Sequence, residues 1–166
     1  MVIRRLRPTD VLEYRRVRLL ALRESPTTFG SSYSEEARRP LSHLRKRLEE
    51  GSGSWVLGAL EDRRLVGIIR LVRMEGRKER HKASIFGMYV AKSGRRKGIG
   101  RGLLKVAISR AKKMKGVRTV QLTAVTSNLA AMALYKGAGF VEYGREGEAL
   151  FVANKFYSES LMARKL

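Results

Sequence analysis

The sequence contains no cysteine. That excludes disulfides, thiolate metal sites and cysteine nucleophiles. Its two histidines, His43 and His81, are too few for a histidine-rich metal cluster, and no metal is expected. Acidic residues are scarce: 15 Asp and Glu stand against 36 Lys and Arg, a formal charge of +21. No apolar run approaches the roughly 18 residues of a membrane span. The start, Met1 to Pro8, lacks the apolar core of a signal peptide. Repeats, low-complexity tracts and linkers are missing as well. What is present is 166 residues with 43% hydrophobic content, enough for a packed core. The expectation is a single cytoplasmic domain over residues 1–166.

An excess of positive charge points to nucleic acid, an anionic surface or phosphate-bearing ligands. Here the basic residues are scattered: Arg4, Arg5, Arg7, then Arg15, Arg16, Arg18, then Arg38, Arg39, then Arg77 to Lys82. Nucleic-acid tails concentrate like charge in one block, and no aromatics interleave these runs as stacking platforms. A solvated basic surface is the favoured reading over a nucleic-acid partner.

Periodicity orders the elements. Met1 to Arg7 reads as a strand. Asp10 with Glu13 resembles a capping box for a helix running toward Pro26. Thr27 to Ala37 reads as a polar loop, and Pro40 opens a second helix ending near Gly51. Trp55–Leu60 and Leu65–Val72 flank a polar turn and predict a hairpin. Ala83–Ala91 is a further strand, with Gly87 marking a bulge. Gly98–Lys115 has helical spacing, Val117–Val125 is a strand, and Asn128–Tyr135 is a short helix stopped by Gly137 or Gly139. Two strands follow, about Val141–Val152 and Tyr157–Arg164. The order β-α-α-β-β-β-α-β-α-β-β predicts a mixed α/β domain with a right-handed parallel crossover in its middle.

Between that middle strand and helix lies Gly94-Arg95-Arg96-Lys97-Gly98-Ile99-Gly100-Arg101-Gly102. A helix N-terminus presents unpaired N–H groups and the positive end of the helix dipole. Gly98 and Gly100 let a phosphate approach that backbone, and Arg95, Arg96 and Lys97 add full charges, a suitable pyrophosphate site. It is not a Walker motif, since Gly98 rather than Ser or Thr follows Lys97, and the glycine spacing is not the dinucleotide fingerprint. A basic loop whose glycines serve helix packing is the plainer alternative. Further on, Asn128 and Tyr135 are seven residues apart and share one helical face.

Together these motifs resemble the GCN5-related N-acetyltransferase (GNAT) superfamily. Arg95, Gly98 and Gly100 match its phosphate motif; Asn128, Ala131, Leu134, Tyr135, Gly139 and Phe140 match its second motif. Ile85 to Val90 resembles the strand before the turn. The resemblance implies a GNAT-like mixed central sheet of about seven strands with splayed central strands. It implies acetyl-CoA as cosubstrate, its pyrophosphate on Arg95, Arg96, Lys97, Gly98, Ile99, Gly100 and Arg101. Its pantetheine arm would run beside Met88 and Val90. A backbone N–H near Met88 would polarise the thioester carbonyl, Asn128 would contact the cofactor, and Tyr135 would protonate the leaving thiolate. The reaction would be direct attack by a primary amine of a small molecule or peptide.

The segment from Ser25 to Glu36 resembles a broad bacterial subgroup of unassigned substrate. It makes Phe29, Ser31, Ser32 and Tyr33 the acceptor-site candidates. Ser158 stands where that subgroup suggests an acid. Glu35, Glu36, His81 and Glu159 are the candidate bases. A homodimer is a common state in the family. The alternative function is a non-catalytic CoA-binding module docking on nucleic acid or ribosomal partners through its basic surface; Tyr135 and Asn128 favour the enzyme.

Overall fold

A computed structural model describes residues 1–51 and 53–166. Seven strands form one sheet in the order β1-β2-β3-β4-β5-β7-β6. Strand β1 (Val2–Arg5) leads through a 3-10 turn into α1 (Val11–Glu24). The segment expected to be a loop contains a short helix, α2 (Tyr33–Arg38), before α3 (Leu41–Leu48). The reason is local. Ser32 accepts from the Glu35 N–H, and Glu35 accepts from the Ser32 N–H, a reciprocal cap that satisfies two end donors.

The capping box expected at Asp10 and Glu13 does not form. Asp10 instead accepts from the Arg7 N–H at 2.7 Å and from the fork of Arg4 at 2.8 and 2.9 Å. Those bonds hold its carboxyl below the usual range. Glu13 pairs with Arg16 at 2.9 Å.

Strands β2 (Ser54–Glu61) and β3 (Arg64–Arg73) form the expected hairpin. Asp62 and Arg63 both take positive φ in its two-residue turn, which matches the twist of the flanking strands. The same device, at Ala153 and Asn154, joins β6 (Val141–Val152) to β7 (Lys155–Lys165). Between these hairpins run β4 (Lys82–Val90), α4 (Ile99–Lys112), β5 (Thr119–Val125) and α5 (Leu129–Gly137).

Two cores sandwich the sheet. Ile69 and Leu71 of β3 alternate toward the larger core with Leu103, Leu104, Ala107 and Ala111 of α4, and Val66 joins them because the β2–β3 register shifts at that point. Leu65 and Ile68 join the smaller core with Val17 and Ala21 of α1 and Leu44 of α3. Among the described residues no helix is long and apolar enough to cross a membrane.

The junction of β4 and β5 positions the site. They are parallel neighbours over only three pairs, Lys82 with Thr119, Ala83 with Val120 and Ser84 with Gln121. Beyond Ser84 they diverge, as the splayed sheet requires. On its other side β4 loses register with β3 between Phe86 and Tyr89, and Gly87 there has φ +58°. Gly87 and Met88 therefore have a register partner on neither neighbouring strand, a bulge at the point where the sheet opens.

Candidate active site

A cavity of about 340 Å³ opens where β4 and β5 part. Ile85 to Met88 form one wall and Leu122 to Val125 the other. Tyr135, Asn128 and Ala131 come from α5, and Glu159 from β7. Phe29 and Ser31 line the cavity from the loop before α2.

Tyr135 is 8% exposed and sits edge-on to Phe140, ring centroids 6.1 Å apart. Its hydroxyl points to the Met88 sulfur at 3.7 Å. Burial pushes its pKa up to about 12, so the phenol keeps its proton at neutral pH. Asn128 caps α5, accepting from the Ala131 N–H at 3.2 Å while also lining the cavity.

The basic turn caps α4. Gly98 is left-handed at φ +76°, and a Cβ there would meet nothing within 4 Å. The backbone above the helix end is therefore open to a ligand, with the Ile99, Gly100 and Arg101 N–H groups in the first turn. Gly100 serves packing: a Cβ there would lie 3.3 Å from Met88 Cε and 3.4 Å from Leu134 Cδ2.

The four charges of the turn divide. Arg95 donates to the Val90 carbonyl at 3.0 Å and pairs with Glu24 at 3.4 Å. Lys97 pairs with Glu61 at 3.0 Å. Arg96 and Arg101 are exposed with no ion pair among the described residues, and Arg101 lines a groove between α4 and α5. Val90 pairs with Gly67, and Ile99 is buried beneath the turn.

The other acceptor candidates lie outside the cavity lining. Ser32 caps α2, and Tyr33 accepts from Arg23 at 2.7 Å with that guanidinium over its ring. Of the candidate bases, Glu35 belongs to the same cap and Glu36 is buried between Arg39 and Arg47. The carbonyl of His81 accepts from Arg118 and Thr119 just before β4 begins, at the paired end of the junction. Only Glu159 lines the cavity. Burial raises its pKa, and Glu146, directly opposite on β6, raises it further.

Sequence reasoning missed three arginines in the lining, Arg18, Arg47 and Arg70, together with Tyr14 and Phe86. A signal was present for Arg18. It falls on the buried stripe Tyr14, Val17, Arg18, Ala21, Leu22, a charged residue at a core position.

Residues 17–140 match the model of the acetyltransferase (GNAT) family. The chain belongs to that family. It is similar over 99% of both chains to the acetyltransferase of GNAT family from Streptococcus pneumoniae, at 25% identity and TM-score 0.88. The ribosomal-protein-alanine N-acetyltransferase from Brucella melitensis shares the fold at 22% identity, TM-score 0.86 and full coverage of both chains. So does yncA from Salmonella typhimurium with its cofactor acetyl-CoA, at 18% identity and TM-score 0.82, over 100% of this chain and 94% of that one. No curated protein sequence matches the chain. As a GNAT acetyltransferase, the protein has its cavity where β4 and β5 separate beside the helix-capping turn.

Proposed function

We propose that this acetyltransferase moves the acetyl group of acetyl-CoA directly to a primary amine of a small molecule or peptide. The observation that carries this reading is the three-pair junction of β4 and β5. It opens a cavity with a buried, protonated Tyr135 in its wall, and Met88 of that wall packs beside Gly100 in the glycine turn, whose Gly98 backbone is uncrowded.

The residues fit the cosubstrate. The first N–H groups of α4, with Arg96 and Arg101, would hold its pyrophosphate. Arg95 and Lys97 brace the turn against α1 and the β2–β3 hairpin through Glu24 and Glu61. The backbone of Met88 and Val90 offers an edge for the pantetheine amides, and Asn128 faces it from the start of α5. Acetyl-CoA supplies an activated acetyl thioester. The Met88 N–H would donate to the acetyl oxygen. Glu159 takes a proton from the acceptor ammonium, directly or through water, so that the amine nitrogen can bond to the acetyl carbon. Tyr135 would give its proton to the sulfur as the carbon–sulfur bond breaks, and the second proton lost by the acylated nitrogen would return to the phenolate, directly or through water.

Thermal shift with acetyl-CoA, paired with a CoA-release screen of amines, tests the reading. Stabilisation by acetyl-CoA together with acceptor-dependent CoA release is expected. A protein that neither binds acetyl-CoA nor releases CoA to any amine would contradict it.

A further inference from the structure

The cavity that Tyr135 and Glu159 line carries a feature that acetyl-CoA binding does not account for. Arg18 of α1 is only 8% exposed, and its Nη1 has no hydrogen-bond partner. Its guanidinium stacks on Phe29, 4.8 Å from the ring centroid. Nη1 lies 3.5 Å from the point a Cβ would occupy on Gly87, one residue before Met88. A buried donor left unpaired is costly, and folding tolerates it where a ligand completes the bond.

Arg18 is not alone. Arg47 of α3 and Arg70 of β3 line the same cavity. Glu36 sits between Arg47 and Arg39, and Arg70 Nε donates to Ser54 Oγ at 3.0 Å. Neither Arg18 nor Arg70 has an ion-pair partner among the described residues. Among the described residues the lining holds one carboxylate, Glu159, against three guanidinium groups. Burial lowers the pKa of Arg18 and Arg70 from the ordinary arginine value, yet both remain cations.

We infer that the acceptor is a small zwitterionic amine, carrying a carboxylate or phosphate that binds Arg18, with Arg70 and Arg47 behind it. This rests on the acetyl-transfer reading. The anion would bond to Nη1 beside Gly87, next to the Met88 backbone where the acetyl group is to be held. Amine and anion are then separated by few bonds, as in an α-amino acid. A polyamine or a neutral amine would leave Arg18 unpaired.

The test compares matched probes. CoA release is followed with α-amino acids, their primary amides and their decarboxylated amines, and with O-phosphoethanolamine against ethanolamine. In parallel, calorimetry with CoA present measures binding of N-acetyl amino acids and N-acetyl amino amides. The expected preference for the anionic member is roughly tenfold or more, the scale of a charge-assisted bond. Arg18→Gln should collapse that preference, Arg18→Lys should restore part of it, and Arg70→Gln should weaken it. The wild-type ratio stands even where a variant fails to fold. Preference for O-phosphoethanolamine over the amino acids assigns phosphate as the anion. Transfer to neutral amines with equal efficiency overturns the anion site and leaves acetyl transfer intact. Arg18-dependent binding of N-acetyl amino acids without transfer to any amine upholds the site and sinks the transfer reading.

Discussion

The Tyr135 hydroxyl is aimed at the Met88 sulfur, 3.7 Å away, across the mouth opened by β4 and β5. A thioether is a weak acceptor, so the phenol has little invested in that contact. Tyr135→Phe should therefore cost under about 1 kcal/mol of stability yet lower kcat about 100-fold, the lower end of general-acid contributions. The KM for acetyl-CoA should change little. Because its pKa lies near 12, Tyr135 should produce no basic limb in the rate profile below about pH 11. Undiminished kcat in the variant at neutral and alkaline pH would remove Tyr135 from the mechanism.

Glu159 makes the opposite pH statement. Its pKa is raised in the fold by burial and Glu146, so the base is protonated, and inactive, to a higher pH than an ordinary glutamate near 4.5. The acid limb of kcat/KM should lie above that value, and Glu159→Gln should abolish the limb and lower the rate. The same shift has a sign for stability. The folded state disfavours the ionised form, so stability falls as pH rises from the ordinary value through the raised one. Denaturation of Glu159→Gln across that window should show a flatter dependence. An acid limb that persists in this variant assigns the base elsewhere.

Gly98→Ala separates backbone strain from crowding. The new methyl meets no atom, so its stability cost should be only the left-handed conformation, roughly 1–2 kcal/mol. It would stand where a phosphate approaches, and acetyl-CoA affinity by calorimetry should fall about tenfold, the range of one charge-assisted bond. Gly58→Ala, whose new methyl faces Leu6 and Leu65 rather than the turn, should show the reverse. Its Cβ would come within 2.5 Å of Leu6 and 2.6 Å of Leu65, and overpacking of this kind costs about 1–3 kcal/mol without touching affinity.

Glu36 is 1% exposed and held between Arg39 and Arg47 at 3.2 and 3.3 Å. Glu36→Ala should destabilise by about 3 kcal/mol, because it strands two cations around a buried void. Chemical denaturation checks this. A loss below about 1 kcal/mol would show that the bridge contributes no more than a surface pair.

The sheet and its long helices were legible because apolar periodicity is strong in α4 and in the β2–β3 hairpin. The turn was legible because Arg95, Gly98 and Gly100 lie close together in the chain. Helix α2 was hidden by its length, six residues without an apolar stripe, although Ser32 and Glu35 at capping-box spacing were its signal. Arg18, Arg47 and Arg70 converge from α1, α3 and β3, and their sequence separation conceals that. In a chain with 36 basic residues, three more arginines carry little local information. Part of the charge thus acquires a place: two arginines left unpaired at the capped helix and three facing the cavity.

The short β4–β5 junction also divides the sheet mechanically. On one side β1 to β4 form a meander, and on the other β5, β7 and β6 are tied by seven pairs between β5 and β7. Three residue pairs join these slabs within the sheet, while Met132 and Tyr135 of α5 reach across to the core of α4. Amide hydrogens of Gly87 and Met88 should exchange with solvent faster than those of Ser84 and Ile85. A molecule lying in the gap would become the missing rung. It would slow that exchange and let the two slabs move as one body.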